Sequence, residues 1–221
     1  LKSVTGYQNL DDRQAIDQDF TAEAKAFVIQ TQKQNQFSQE LEMRSKDGKR
    51  FTWLNGIFGF YQTGKRMVLY TTQKDYDEPS YGLAAYHQST LKDFLLKKLS
   101  LTVGARFDYE KAKQDYIVWK LSADQKEQTT RLNDSESFTQ FTPKVSLQYQ
   151  FDASNMIYAT TTRGYKTGGF NISFSTEDER TYSPEYSWNY EVGGRFSAFN
   201  NRLYGDLALF YIDWRNQQIS H

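Results

Sequence analysis

The chain has 221 residues, with 27 Lys+Arg against 27 Asp+Glu, and it contains 16 Phe, 16 Tyr and 4 Trp but no Cys. The balanced charge excludes the basic footprint of a nucleic-acid binder and the acidic excess of a solvating tail. The lack of Cys excludes a disulfide scaffold and thiolate-bound metal. An apolar fraction of 38% with 16% aromatics describes a chain that folds, but around no ordinary core. No apolar run approaches the ~18 residues of a membrane-spanning helix. No basic segment followed by an apolar run opens the chain, which reads as a mature chain or an excised piece.

The dominant period is two. Phe37, Gln39, Leu41 and Met43 alternate with Ser38, Glu40, Glu42 and Arg44, and a short Asp/Gly turn follows at 46–49. After a second short link at 91–97 comes the clearest strand: Leu99, Leu101, Val103, Ala105, Phe107 and Tyr109 against Ser100, Thr102, Gly104, Arg106, Asp108 and Glu110. Val145, Leu147, Tyr149 and Phe151 form a third apolar face, closed by a turn at 152–155. Tyr186, Trp188, Tyr190, Val192, Gly194 and Phe196 form a fourth, closed by a turn at 198–201.

Between these short turns lie long, polar connections at about 11–34, 64–80, 111–137 and 166–183. Short and long alternate throughout. In an up-and-down antiparallel meander that places every short turn on one side and every long loop on the other, as in outer-membrane barrels. About nine strands are expected, with lengths near the ~9–11 residues of a tilted membrane-spanning strand. Aromatics near the proposed strand ends, among them Tyr7, Trp53, Tyr61, Tyr81, Tyr109, Tyr158 and Trp188, suit girdles at the lipid boundary. A secreted β-sandwich alternates equally well, but the aromatic placement and the polar second face favour a membrane barrel with a wet lumen.

Several stretches carry a family resemblance: FTPKVSLQYQF (141–151), IYATTTRGYKTGGFN (157–171), SPEYSWNYEVGGR (183–195) and LALFYIDWRNQQI (207–219). SVTGY (3–7), FSQELEMRS (37–45), WLNGIF (53–58) and LSLTVGARF (99–107) match more loosely. In order and spacing they resemble the barrel of TonB-dependent outer-membrane receptors across nearly the whole chain. The resemblance implies a barrel of roughly 22 strands with a plugged lumen, sited in the bacterial outer membrane. It also implies uptake of a nutrient complex, an iron–siderophore complex above all, energised by the TonB complex. Nothing in 1–221 resembles the plug, and the chain reads as a partial barrel wall that stops before the closing strands. No enzyme activity and no cofactor are expected, and the partners implied are TonB, the ligand and outer-membrane lipid. A passive porin-like wall or a secreted adhesive β-sheet protein is the alternative. A hydrolase is disfavoured, because no Gly-x-Ser-x-Gly elbow accompanies His87.

The candidate ligand contacts fall in 163–171, where a strand enters an outward loop. Arg163 and Lys166 offer charge-assisted hydrogen bonds to catecholate, carboxylate or phosphate, Tyr165 and Phe170 offer stacking surfaces, and Asn171 closes the set. The bland reading of the same run is rim geometry, with Gly164, Gly168 and Gly169 permitting a bend. Glu185 and Glu191 read as lumen-facing charges paired with Arg163, Arg195 or Lys144 rather than as an acid–base pair. His87 has no second imidazole or carboxylate at ligand spacing and reads as a satisfied strand histidine.

Overall fold

A computed structural model describes residues 1–21, 26–122, 125–171, 174, 176–200 and 202–219. Its strands are β1 (Lys2–Asp17), β2 (Phe27–Arg44), β3 (Phe51–Leu69), β4 (Thr72–Asp77), β5 (Ser80–Lys92) and β6 (Leu99–Leu121). They continue with β7 (Lys126–Gln150), β8 (Met156–Lys166), β9 (Gly169–Phe170), β10 (Thr181–Tyr182), β11 (Glu185–Ala198) and β12 (Leu203–Arg215). All but β9 and β10 form one antiparallel sheet in sequence order.

β4 and β5 both lie between β3 and β6 and form one wall position interrupted at Glu78 and Pro79. Proline has no N–H for the ladder. The ladder survives the break because the Glu78 N–H donates to the Gly64 carbonyl and the Lys113 N–H to the Pro79 carbonyl. With that pair counted once, the described wall has nine strands in a meander, the architecture expected from the alternating connections.

The short turns are built as their residues suggest. Gly48 takes φ +84° at the first, and Asp93, Leu95 and Lys98 take positive φ in the second. In the third, the Asp152 carboxylate accepts the N–H groups of Ser154 and Asn155. Phe199 and Asn200 take φ +52° and +56° in the fourth, the left-handed pair that a tight hairpin needs.

The opposite side corrects the reading of three long connections as loops. β1 and β2 stay paired to Asp17 and Phe27, β3 and β4 to Leu69 and Gln73, and β6 and β7 to Leu121 and Lys126. Above the membrane both faces of a hairpin meet water, so its sequence loses the apolar alternation while the backbone ladder continues. Among the described residues the connection between β8 and β11 stays out of the main sheet, with β9 and β10 paired in it as a small hairpin.

Cross-strand register aligns the outward side chains into rows. Tyr7 faces Phe37, Phe37 faces Tyr61, and Tyr61 faces Tyr81. Tyr109 completes the row, its ring 6.4 Å from that of Tyr81. About ten residues further toward the short turns, Phe51 faces Leu91, Leu91 faces Leu101, and Leu101 faces Leu147. Ten residues of strand measure roughly 34 Å, or about 24–28 Å along the normal at a tilt of ~35–45°, against the ~25 Å apolar band of such walls. Ile57, Leu83, Val103, Phe107 and Val145 lie between the rows and are exposed, as lipid-facing side chains are.

Tyr158 departs from the girdle reading. Its hydroxyl donates to Glu191 on the inward face and its ring covers Gly193, the residue opposite it in β11. His87 is satisfied on the outward face, its ring nitrogens 2.7 Å from Asn55 Oδ1 and 2.8 Å from Ser89 Oγ.

Candidate ligand-binding rim

The inward face carries charged and aromatic side chains from mid-wall up to the long hairpins. At mid-wall, Tyr86 on β5 lays its ring over Gly56 on β3 and donates its hydroxyl to Glu40 on β2 at 2.8 Å. Arg106 stands 5.7 Å from that ring and is held in a salt bridge to Asp108 at 2.8 Å. Tyr165 on β8 lies near Asp108, Glu110 and Arg106, which brings β8 to the same belt.

Higher on the wall, register places Arg66, Tyr76 and Tyr116 side by side on β3, β4 and β6. Arg66 caps the Tyr76 ring at 4.5 Å and bridges to Glu78 at 3.0 Å, and Glu78 also accepts Gln114 at 2.8 Å. The loop between β8 and β11 folds down onto this cluster. Phe174 meets the Tyr116 ring edge-on at 5.8 Å, Arg180 stands over Phe174, and Arg180 pairs with Asp134 on β7. Gly168 permits the approach, since a Cβ there would meet the Tyr182 carbonyl at 2.3 Å and the Phe138 ring at 2.6 Å. Tyr76, Tyr116, Gln114 and Phe138 are among the few buried residues of the described chain. The best-packed region of the wall therefore lies outside the membrane band, under this loop. Burial raises the hydroxyl pKa of Tyr76, Tyr116 and Tyr182, with the neighbouring Tyr116 adding to the shift at Tyr76, so all three stay neutral donors at physiological pH.

Beside the loop opens a polar cavity of about 620 Å³, lined by Lys166, Asn171, Tyr182, Ser183, Asn216, Gln217, Gln218 and Ile219. Lys166 lies opposite Glu185 in register. Glu185 is buried and its carboxylate accepts the Gln218 N–H at 2.8 Å, while the Gln218 amide donates to the carbonyls of Thr167 and Ser183. Among the described residues the Lys166 ammonium makes no ion pair or hydrogen bond, so it is an uncommitted cation on a wall of amides and hydroxyls.

The run 163–171 is thus divided. Lys166 and Asn171 meet on the cavity, although the Asn171 amide is committed to the Glu179 carbonyl. Tyr165 reaches the mid-wall belt, and Phe170 is a rung of the β9–β10 hairpin opposite Thr181. Arg163 turns away. It donates to the Phe141 carbonyl at 2.9 Å and stacks on Tyr186 at 4.6 Å in an outward groove with Pro143 and Trp188. The reason is local: β7 and β8 stop pairing at Lys144 and Thr162, which leaves the Phe141 carbonyl without a ladder partner. The expected pairing of Glu185 and Glu191 with Arg163, Arg195 or Lys144 is corrected as well. Glu191 accepts the Tyr158 hydroxyl, Glu185 accepts a backbone N–H, and Arg195 pairs with Asp206. The sequence gives little signal for Arg66, Tyr76, Tyr116 and Arg180, because their segments lack alternation. The only cue is the repeated Tyr within charged sequence at 76 and 116.

Fold and rim together define an open arc of an outer-membrane-type β-barrel, with an apolar band outward and a polar, cation-bearing rim inward. The chain belongs to the TonB dependent receptor-like, beta-barrel family, whose model matches residues 1–221. It is therefore part of the wall of a bacterial outer-membrane receptor. Among solved structures it resembles the ferric yersiniabactin uptake receptor FyuA from Yersinia pestis, with TM-score 0.78, 20% identity, and coverage of 98% of this chain and 33% of that one. The alcaligin outer-membrane receptor FauA from Bordetella pertussis gives TM-score 0.59, 19% identity, and coverage of 96% and 33%. The ferripyoverdine receptor of Pseudomonas aeruginosa gives 0.59, 16%, 95% and 30%. The chain thus spans about a third of the length of the receptors it matches.

Proposed function

We propose that this wall belongs to a receptor that captures an extracellular iron–siderophore complex for TonB-energised uptake, with the plug that couples to TonB supplied by another part of the protein. The observation that carries the reading is the uncommitted Lys166 ammonium on an amide-lined cavity at the loop end of the inward face. A ferric chelate brings anionic oxygen donors, and a cation that shares its cavity with Asn216 and Gln217 meets them with charge-assisted hydrogen bonds. Arg163 serves this site indirectly by fixing the end of β8, and Tyr165 fixes it from below. Phe170 and Asn171 shape the β9–β10 hairpin that borders the cavity. The solved receptors of yersiniabactin, alcaligin and pyoverdine share the fold, which supports the siderophore class without choosing within it.

The test is uptake of radioactive iron, presented as a panel of ferric siderophores, by cells whose only such receptor is the complete protein. Uptake of one complex that vanishes when TonB is deleted supports the reading. Equal, TonB-independent permeation of all small solutes would assign a passive pore instead.

A further inference from the structure

The inward face of β1 and β2 carries a pattern that the cavity at Lys166 does not use. Along β2 every second residue from 30 to 36 is a glutamine: Gln30, Gln32, Gln34 and Gln36. Residues two apart on a strand share a face at about 6.8 Å. That face is the inward one, because Glu40 in the same phase accepts the Tyr86 hydroxyl. Register extends the array to both neighbouring strands. Gln36 lies between Gln8 on β1 and Gln62 on β3, Gln30 lies opposite Gln14, and the Gln34 amide donates to Gln62 at 3.2 Å.

Exposure to water does not by itself call for glutamine here. The outward face of the same two strands also stands above the aromatic row, and it carries Asp11, Arg13, Thr31 and Lys33, with Asp11 and Lys33 paired at 3.0 Å. The charges that border the inward array are already engaged: Asp12 accepts the Gln14 amide at 2.8 Å, and Arg66 is bridged to Glu78 at 3.0 Å. Among the described residues the side chains of Gln8, Gln30, Gln32 and Gln36 make no hydrogen bond, so each presents a carbonyl acceptor and an amide donor to the lumen.

In an extended peptide the N–H and C=O of one residue point the same way, and they recur every second residue, again at about 6.8 Å. A primary amide offers the matching acceptor and donor side by side. The repeat of the array is therefore that of an extended peptide backbone, and its lack of free charge matches an uncharged partner. A sugar would call for a ring to stack on, whereas the other inward residues beside the array on β1 and β3 are Leu10, Asp12, Gly64, Arg66 and Val68.

We propose that the inward face of β1 and β2 binds an extended, uncharged peptide backbone, so that the captured molecule carries a peptide chain beside its anionic iron-binding groups. The assignment rests on the capture reading above and names the chemical class of the ligand.

The test uses the complete purified receptor in detergent, without iron or TonB, and saturation-transfer NMR with an acetylated, amidated octapeptide of alternating Ser and Ala, with its fully N-methylated form, and with maltoheptaose. The wild type should bind the octapeptide at least tenfold more tightly than either of the others. One neutral hydrogen bond has a weight of about fivefold, so Gln30→Met with Gln32→Met and Gln36→Met, which keeps side-chain length and removes the amides, should weaken the octapeptide at least twentyfold. Thr31→Val on the outward face is the control and should change nothing. The N-methylated probe puts the same question to the wild type, with no substitution that could impair folding. No binding of the octapeptide by the wild type, equal binding of its N-methylated form, equal binding of maltoheptaose, or an unchanged octapeptide affinity in the folded triple variant would each overturn the assignment. Because the probes carry no iron, these results are independent of the uptake measurement, and a failure of ferric uptake would refute the capture reading without altering them.

Discussion

Gly56→Ala places a methyl group where the Tyr86 ring lies: the added Cβ would stand 2.0 Å from Tyr86 Cζ and 2.2 Å from its hydroxyl oxygen. The ring must leave. It then loses its hydrogen bond to Glu40 and its place beneath Arg106. A hydrogen bond to a charged acceptor contributes ~1.5–3 kcal/mol and an exposed cation–π contact ~0.5–1 kcal/mol, so Gly56→Ala should destabilise the wall by about 2–4 kcal/mol. With Tyr86→Ala already present, the same change has nothing to displace. Gly56 has an ordinary extended φ, so alanine there should then stabilise by ~0.4–1 kcal/mol through the unfolded chain. The reversal of sign is the diagnostic. Urea unfolding of the complete barrel in lipid vesicles, followed by tryptophan fluorescence, gives both differences in one double-mutant cycle. If Gly56→Ala costs the same with and without the Tyr86 ring, the strut across β5, β3 and β2 is not what the glycine serves.

Tyr116→Ala removes the ring between Tyr76 and Phe174 and should release the β8–β11 loop, at a cost of about 3–5 kcal/mol as for other buried aromatics. Limited proteolysis of the purified receptor should then cut between Gly169 and Tyr182 far faster than in the wild type, with the membrane strands intact. Asp152 is held below the usual carboxylate range by the Ser154 N–H and the Asn155 side chain. Because the folded value is depressed, its contribution is full at neutral pH and is lost as pH falls through about 3.9 toward the folded value. Amide exchange at Ser154 and Asn155, corrected for intrinsic rates, should lose protection across that window, and Asp152→Asn should abolish the dependence. Lys166→Gln should weaken capture of the transported ferric complex by about tenfold, the scale of one charge-assisted hydrogen bond. Equilibrium binding to the complete receptor checks it, and an unchanged affinity would remove Lys166 from the site.

The sequence by itself determined the sheet, its up-and-down order and which face meets lipid, because alternation between Leu99 and Tyr109 or between Val145 and Phe151 is imposed residue by residue by the environment on each side. It also determined the short turns, whose Asp, Asn and Gly act locally: Asp152 closes its own turn with its own carboxylate. Register was beyond its reach. Tyr7, Phe37, Tyr61 and Tyr81 become a girdle only when four strands are paired, and hairpins continuing above the membrane look like loops when neither face is dry. The candidate site shows the same division. Lys166 and Asn171 were legible as loop-entry residues, but the partners that build the cavity, Tyr182 and Gln218, come from the far end of the same loop and from beyond β12. Arg163 carried the same local signal as Lys166, yet it faces outward, because β7 and β8 part company at Lys144 and Thr162 and the Phe141 carbonyl left free on the neighbouring strand takes its guanidinium, a pairing that the nine residues around Arg163 do not contain.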